Sequence, residues 1–169
     1  MAAGAPTRIV VTDANIIINL IHAARLALLG ALPPYEFVVP EDVVSEVADP
    51  VQREALEAAI TAGHLRRETI AAPAELTRYA ELRQVIGKGE AACLALAESR
   101  GWLVASDEKR RFRREVLGGL GPGRLVTTPG LFVLAIRAGA MSVEDADQAK
   151  AILEQHRFRM PFGSFGEVV

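Results

Sequence analysis

Four short runs of β-branched and apolar residues punctuate this chain: "RIVVT" at 8–12, "YEFVVP" at 35–40, "WLVAS" at 102–106 and "RLVTT" at 124–128. Apolar residues fall on both faces of "RIVVT", as in a strand covered from both sides, which is characteristic of parallel sheets. Between the runs lie stretches with helical punctuation. "ANIIINLIHAARLALLGAL", with Gly30 as its stop and a Pro pair beyond, reads as one long helix. "EDVVSEVADP" is a short helix closed by Asp49-Pro50, "VQREALEAAITAG" a longer one closed by Gly63, and "HLRRETI" a candidate edge strand. "PAELTRYAELRQVI" and "KGEAACLALAESRG" read as amphipathic helices separated at Gly87, and "DEKRRFRREVLGG" as a helix with a Gly-rich exit. "PGLFVLAIRAGA" and "SVEDADQAKAILEQHR" are closing helices. Strands alternating with helices predict right-handed βαβ units, hence a three-layer α/β/α sandwich around a mostly parallel sheet of four to five strands. No repeat or low-complexity linker interrupts the 169 residues. The expectation is a single domain over 1–169, its C-terminal helices and tail from about residue 129 packing on it or on a second subunit.

Composition removes several classes of function. Half the residues are hydrophobic, about a quarter are charged and the net charge is -2, so affinity for nucleic acid has to come from a local basic patch. The single cysteine, Cys93, allows no intramolecular disulfide and no cysteine-based zinc site, and suits a reducing compartment. "MAAGAPTRIVV" lacks the basic start and apolar core of an export leader, and no apolar stretch approaches the roughly 18 residues of a membrane span. A cytoplasmic location is expected.

Against this background Asp13 stands out, a carboxylate between "RIVVT" and "ANIII" where the neighbours promise burial and an unpartnered acid is costly. In open α/β sheets the functional crevice lies outside the carboxyl ends of the strands, and that is where Asp13 falls. Ser106 and Asp107 occupy the corresponding place after "WLVA". Glu46 in "PEDVVSEV" and Glu90 in "GKGEAACLALA" start or follow elements near the same edge. Carboxylates gathered together repel and raise one another's pKa, so such a group makes sense around a cation. Mg2+ or Mn2+ fits best, because hard ions prefer oxygen ligands and magnesium keeps several of its waters.

Taken in order, "VVTDANIII", "FVVPEDVVSEV", "GKGEAACLALA" and "WLVASDEKRRFRRE" resemble the PIN-domain nucleases. The segment "LVTTPGLFVLAIRAGAMSVEDADQAKAILEQHRFRMPFGSF" is similar to the C-terminal half of a bacterial and archaeal PIN subgroup related to VapC-type toxins. The resemblance spans about Ile9 to Phe165 and implies an acidic quartet of Asp13, Glu46, Glu90 and Asp107, with Asn15 and Ser106 as supporting polar groups. It also implies divalent-metal-dependent endonucleolytic hydrolysis of RNA, 5'-phosphate and 3'-hydroxyl products, a homodimer and, for toxins, a cognate antitoxin. A metal-bound hydroxide would be the nucleophile, and two metals would clamp the attacking and leaving oxygens, so no protein nucleophile is required. Asp13 would be the central ligand, with Glu90 and Asp107 bound directly or through water and Glu46 a ligand or water-orienting group. Two departures from the family pattern are Lys88 inside "GKGE" and the Asp107-Glu108 pair where relatives often show two aspartates; Glu108 is an alternative ligand to Asp107.

Each residue also has a purely structural reading. Asp13 and Asp107 could cap following helices, Glu46 and Glu90 could complement helix dipoles, and Asn15 and Ser106 could make local hydrogen bonds. Lys109, Arg110, Arg111, Arg113 and Arg114 form either a solvated face paired with Glu108 and Glu115 or an RNA-phosphate contact. The tail "HRFRMPFGSF" mixes cations with aromatics that stack on bases or pack on the protein. Cys93 reads as a small core residue, and His22, His64 and His156 as structural. Apolar surface on "ANIIINLIHAARLALL" favours a homodimer. Two other functions fit an α/β domain with acids at strand ends: a catalytically weak PIN-fold binding or scaffold module, and a receiver-like magnesium-dependent phosphotransfer domain, for which "TDANI" lacks the adjacent acid pair.

Overall fold

The computed structural model describes residues 4–169, so the first three residues of the N-terminal stretch lie outside the described part. Five strands, β1 (Arg8–Thr12), β2 (Tyr35–Pro40), β3 (Arg66–Glu68), β4 (Leu103–Ala105) and β5 (Leu125–Val126), form one sheet in the order β3-β2-β1-β4-β5. Every pairing is parallel. Helices α1 (Ala14–His22), α2 (Glu41–Glu46), α3 (Pro50–Thr61), α4 (Pro73–Leu82), α5 (Lys88–Arg100), α6 (Arg111–Leu120), α7 (Thr128–Arg137) and α8 (Val143–Gln155) cover its two faces, giving the three-layer α/β/α sandwich. Val10, Val11, Val38, Val39 and Val104 are almost fully buried, as expected for β-branched strands covered on both sides.

Three local readings of the sequence change. The stretch after Ala14 is not one helix: α1 ends at His22, and after a turn the chain makes a 3-10 turn over Leu26–Gly30. The stop is a Schellman arrangement, in which Ala24 N–H donates to the Ile21 carbonyl at 3.0 Å and Arg25 N–H to that of Leu20 at 2.8 Å, with Ala24 at φ 53°. Alanine at this position carries no stop signal that can be read from residue type. The segment from Asp107 is likewise not helical at once, since α6 begins at Arg111 and residues 107–110 form a connecting loop.

The third change concerns α5, which is not amphipathic. All seven residues Ala91–Ala97 are fully buried, because the helix touches β1, β2 and β4 on one side and α2, α4 and α6 on others. Small alanines and Cys93 allow that close enclosure, whereas an amphipathic reading assumes one wet face. α1 packs against α3, α7 and α8, and its Ile16, Ile17 and Leu20 have no exposed surface. At the C-terminus Phe165 is buried and meets Phe132 and Phe162 edge to face. No helix among the described residues is long and apolar enough to cross a membrane.

Candidate active site

The chain runs from β1 outward to β2 and β3, then returns to add β4 and β5 on the other side of β1. The strand order therefore reverses between β1 and β4, the place where an open parallel sheet opens a crevice at its carboxyl ends. Asp13 leaves β1 at this point and Ser106 leaves β4. Asp13 N–H donates to the Ala105 carbonyl at 2.9 Å, continuing the ladder by one residue.

Asp13 caps α1 as its structural reading required, its Oδ1 accepting from Ala14 N–H at 2.8 Å. Its Oδ2 accepts from the Ser106 hydroxyl at 3.0 Å. These bonds do not compensate its environment. The side chain is 3 % exposed, and burial, reinforced by the charges of Glu90 and Glu46, pushes its pKa up from 3.8 to about 7. A cap alone needs no such site, because exposed aspartates cap helices well.

Glu46 is the last residue of α2, where an acid opposes the helix dipole, so the macrodipole reading of this residue fails. Its Oε1 instead accepts from Gly89 N–H at 2.8 Å, in the first turn of α5. Glu90 begins the same helix, and its Oε2 accepts from Gly87 N–H at 3.4 Å. Burial, then the Glu108 charge, and also Glu46, raise the Glu90 pKa. The charges of Glu46 and Glu90 thus act on Asp13, and those of Glu46 and Glu108 on Glu90. Cys93 lies behind them: burial and the charges of Asp13, Glu46 and Glu90 hold its thiol well above the usual range, which makes it inert.

Asp107 is placed differently from the other three. Its Oδ1 accepts from Thr128 N–H at 2.8 Å, and its Oδ2 from Thr128 Oγ1–H at 2.5 Å and from Asn19 Nδ2–H at 3.0 Å. Burial raises its pKa against these bonds, with Glu108 adding to the rise. It ties the β4 exit to the start of α7 and does not cap α6. Asn15 connects the two regions: its Oδ1 accepts from Asp107 N–H at 3.1 Å, and its Nδ2 donates to Glu108 Oε1 at 3.3 Å and to Ser106 Oγ at 3.5 Å. Ser106 Oγ also accepts from Glu108 N–H at 3.2 Å, so its donor and both lone pairs are engaged.

Sequence reasoning missed Asn19, Thr128 and Gly89. Asn15 and Asn19 stand four apart in "NIIIN", a polar pair on one helical face within an apolar run, which was the available signal. A Cβ on Gly89 would stand 2.5 Å from Glu46 Oε2, so the glycine makes room for that carboxylate. Lys109, Arg110, Arg111, Arg113 and Arg114 are all exposed. Lys109 and Arg113 line a cavity that begins at Asn15, Asp107 and Glu108, whereas Arg111 turns away to donate to the Val85 carbonyl at 3.1 Å.

A family model described as DUF3368, PIN domain, matches residues 9–164. The chain belongs to the PIN-domain family. Comparison with curated proteins finds no match. PIN domains are in general nucleases, and Asp13 stands at the β1/β4 switch of this one. Among the described residues, no three acidic, histidine or cysteine side chains are drawn together closely enough to enclose a metal ion. The donor chemistry nonetheless fits a hard divalent cation. The available ligands are carboxylate oxygens that raise one another's pKa, and magnesium takes one or two carboxylates while keeping waters.

Proposed function

We propose that this PIN domain is a divalent-metal-dependent endoribonuclease of toxin type, using Mg2+ or Mn2+ to hydrolyse RNA phosphodiester bonds. The observation that carries the reading is Asp13, a buried carboxylate raised to about 7 by burial and by Glu90 and Glu46 at the sheet's switch point. Removing a charge there would relieve the fold, so its presence calls for a function. Asp13 would be the central ligand. Glu90 and Glu46 would complete the site directly or through water, together with Asp107 or Glu108 from the β4 exit. When bound, the cation would supply a hydroxide from coordinated water and stabilise charge on the phosphoryl oxygens.

The chain's own residues have definable tasks. Ser106 fixes the Asp13 carboxylate through its hydroxyl, Gly89 N–H fixes Glu46, and Asn15 holds the Asp107-Glu108 backbone against the crevice. Lys109, Arg110, Arg111, Arg113 and Arg114 would give sequence-independent attraction for phosphates beside the site, Lys109 and Arg113 most directly. A cognate antitoxin, a homodimeric assembly and a cytoplasmic location complete the proposal and rest on the resemblance to VapC-type toxins. The loosely gathered acids favour one second reading, a PIN fold retained as a binding module.

The test is incubation of the purified protein with mixed single-stranded RNA, with Mn2+ or Mg2+ present or chelated, beside Asp13→Asn. Metal-dependent cleavage abolished by Asp13→Asn, with 5'-phosphate products, is the expected result. Intact RNA in every arm, with RNA binding retained, would replace the nuclease by the binding module.

A further inference from the structure

The turn and tail after α8, within residues 156–162, and the polar face of α1 together line an open cavity of about 830 Å³. Asn15, Asp107 and Glu108 line it, and Asn15 also reaches Ser106, so the cavity adjoins the candidate active site at the β4 exit, although Asp13, Glu46 and Glu90 do not line it. Its outer walls carry four cations from separate segments, Lys109 and Arg113 on one side and Arg157 and Arg159 on the other. Among the described residues, none of these four makes a salt bridge or side-chain hydrogen bond, whereas Arg53, Arg66, Arg67, Arg78 and Arg100 are all paired with carboxylates. Four cations without a carboxylate partner around one concavity raise the local attraction for anions.

The remaining lining mixes apolar side chains with Asn19, His22, Thr127 and His156. Phe158 and Phe162 line the cavity and are only partly buried. Beside them the His22 and His156 rings stack at 3.7 Å with 10° between their planes, pinning the tail to the end of α1. Arg157, between His156 and Phe158 in the chain, holds φ 65°, a conformation that a non-glycine residue adopts at a cost. Cations interleaved with partly exposed aromatic rings are a combination that can hold single-stranded nucleic acid, backbone on the charges and bases on the rings.

We propose that this cavity seats the nucleotides next to the scissile phosphate of single-stranded RNA, with the tail as one wall; this rests on the nuclease reading of the adjoining crevice. The phosphates lie on Lys109, Arg113, Arg157 and Arg159, and the bases on Phe158 and Phe162. The volume suits one or two nucleotides. The tail is therefore part of the substrate site and not only a clasp on the core.

The test is binding of a short fluorescein-labelled single-stranded RNA to the full chain by anisotropy, in chelator so that nothing is cleaved, across a series of salt concentrations. The double variant Arg157→Gln/Arg159→Gln should raise Kd tenfold or more. It should also make the slope of log affinity against log salt shallower by about 0.7 for each arginine. Phe158→Leu should raise Kd about tenfold and leave the slope unchanged. Arg66→Gln, on the far edge strand, should bind like wild type, and thermal midpoints check that each variant is folded. Wild-type Kd and slope in the tail variants, an equal loss in Arg66→Gln, or no binding by wild type would overturn the assignment. Asp13-dependent cleavage that survives with unchanged KM in the tail variants would overturn the cavity and leave the nuclease standing. Tail-dependent binding with no cleavage in any metal would do the reverse.

Discussion

Replacing Asp13 by Asn should make the protein more stable, and the effect should depend on pH. In the fold its carboxyl titrates at about 7 against an ordinary 3.8, and at about 1.4 kcal/mol per pH unit the charged form carries a penalty of roughly 4 kcal/mol above neutrality. The sign follows from the direction. A raised carboxyl pKa favours the folded state while the group is protonated, and that advantage disappears as pH climbs from about 4 through about 7. Asn is never charged and still caps α1 well, since Asn and Asp are equivalent N-caps. Its amide would face Ser106 Oγ, whose lone pairs already accept from Glu108 N–H and Asn15 Nδ2–H, so two donors would meet there. The serine hydroxyl then loses its acceptor, at about 1 kcal/mol. A net gain of roughly 2–3 kcal/mol remains at pH 8, or about 5–10 °C in Tm for a chain of this size. Thermal unfolding followed by circular dichroism in chelator, at intervals from pH 4 to pH 8, measures this directly. Equal midpoints at pH 8, or a gap between variant and wild type that does not grow with pH, would refute the idea that the crevice holds Asp13 in a strained charge state.

Gly89→Ala should separate stability from activity: alanine adds helix propensity of up to about 1 kcal/mol, but its Cβ displaces the Glu46 carboxylate, so RNA cleavage should fall at least tenfold while Tm is unchanged or higher. Arg100→Met removes the first cause of the depressed Glu75 pKa, held at about 2 by the guanidinium. Glu75 is 2 % exposed, so the variant should lose on the order of 2–3 kcal/mol in urea at pH 7. Because the pKa is depressed, that contribution is present above about 4.5 and lost as pH falls toward about 2, so the two proteins should converge in acid. Ala24→Gly relieves the left-handed residue that ends α1 and should stabilise by up to about 1 kcal/mol in the same urea assay; a loss would show that Ala24 is not strained.

The layered fold was legible because its signal is redundant: four apolar β-branched runs separated by helical lengths admit few arrangements other than a parallel sheet between helices. The boundary errors came where the signal was a conformation and not a residue type. Ala24 does the work usually given to glycine, and nothing in "HAARL" marks it. α5 was misread because seven consecutive small or apolar residues are consistent with one face or with complete burial, and only the helices packed around it decide. Asp13 could be singled out because its apolar neighbours argue against an acid, and Glu46 and Glu90 by their place near the same sheet edge and by the family resemblance. Their partners were less visible, since Gly89, Asn19 and Thr128 are residue types with ordinary local uses, and only tertiary contact gives them their tasks. The roles of Asp107 and Glu108 stayed open for the same reason: adjacent acids on a loop point differently, and the spacing in the chain is silent about which way.

The central claim is that the β1/β4 crevice holds a divalent cation through Asp13 and the glutamates around it. Isothermal titration of the wild-type protein with Mn2+ at pH 7.5, beside Asp13→Asn, tests it without reference to any substrate. The account predicts saturable binding in the wild type that is lost in Asp13→Asn, although the variant is folded and more stable. Binding of equal affinity in both proteins, or in neither, would contradict it.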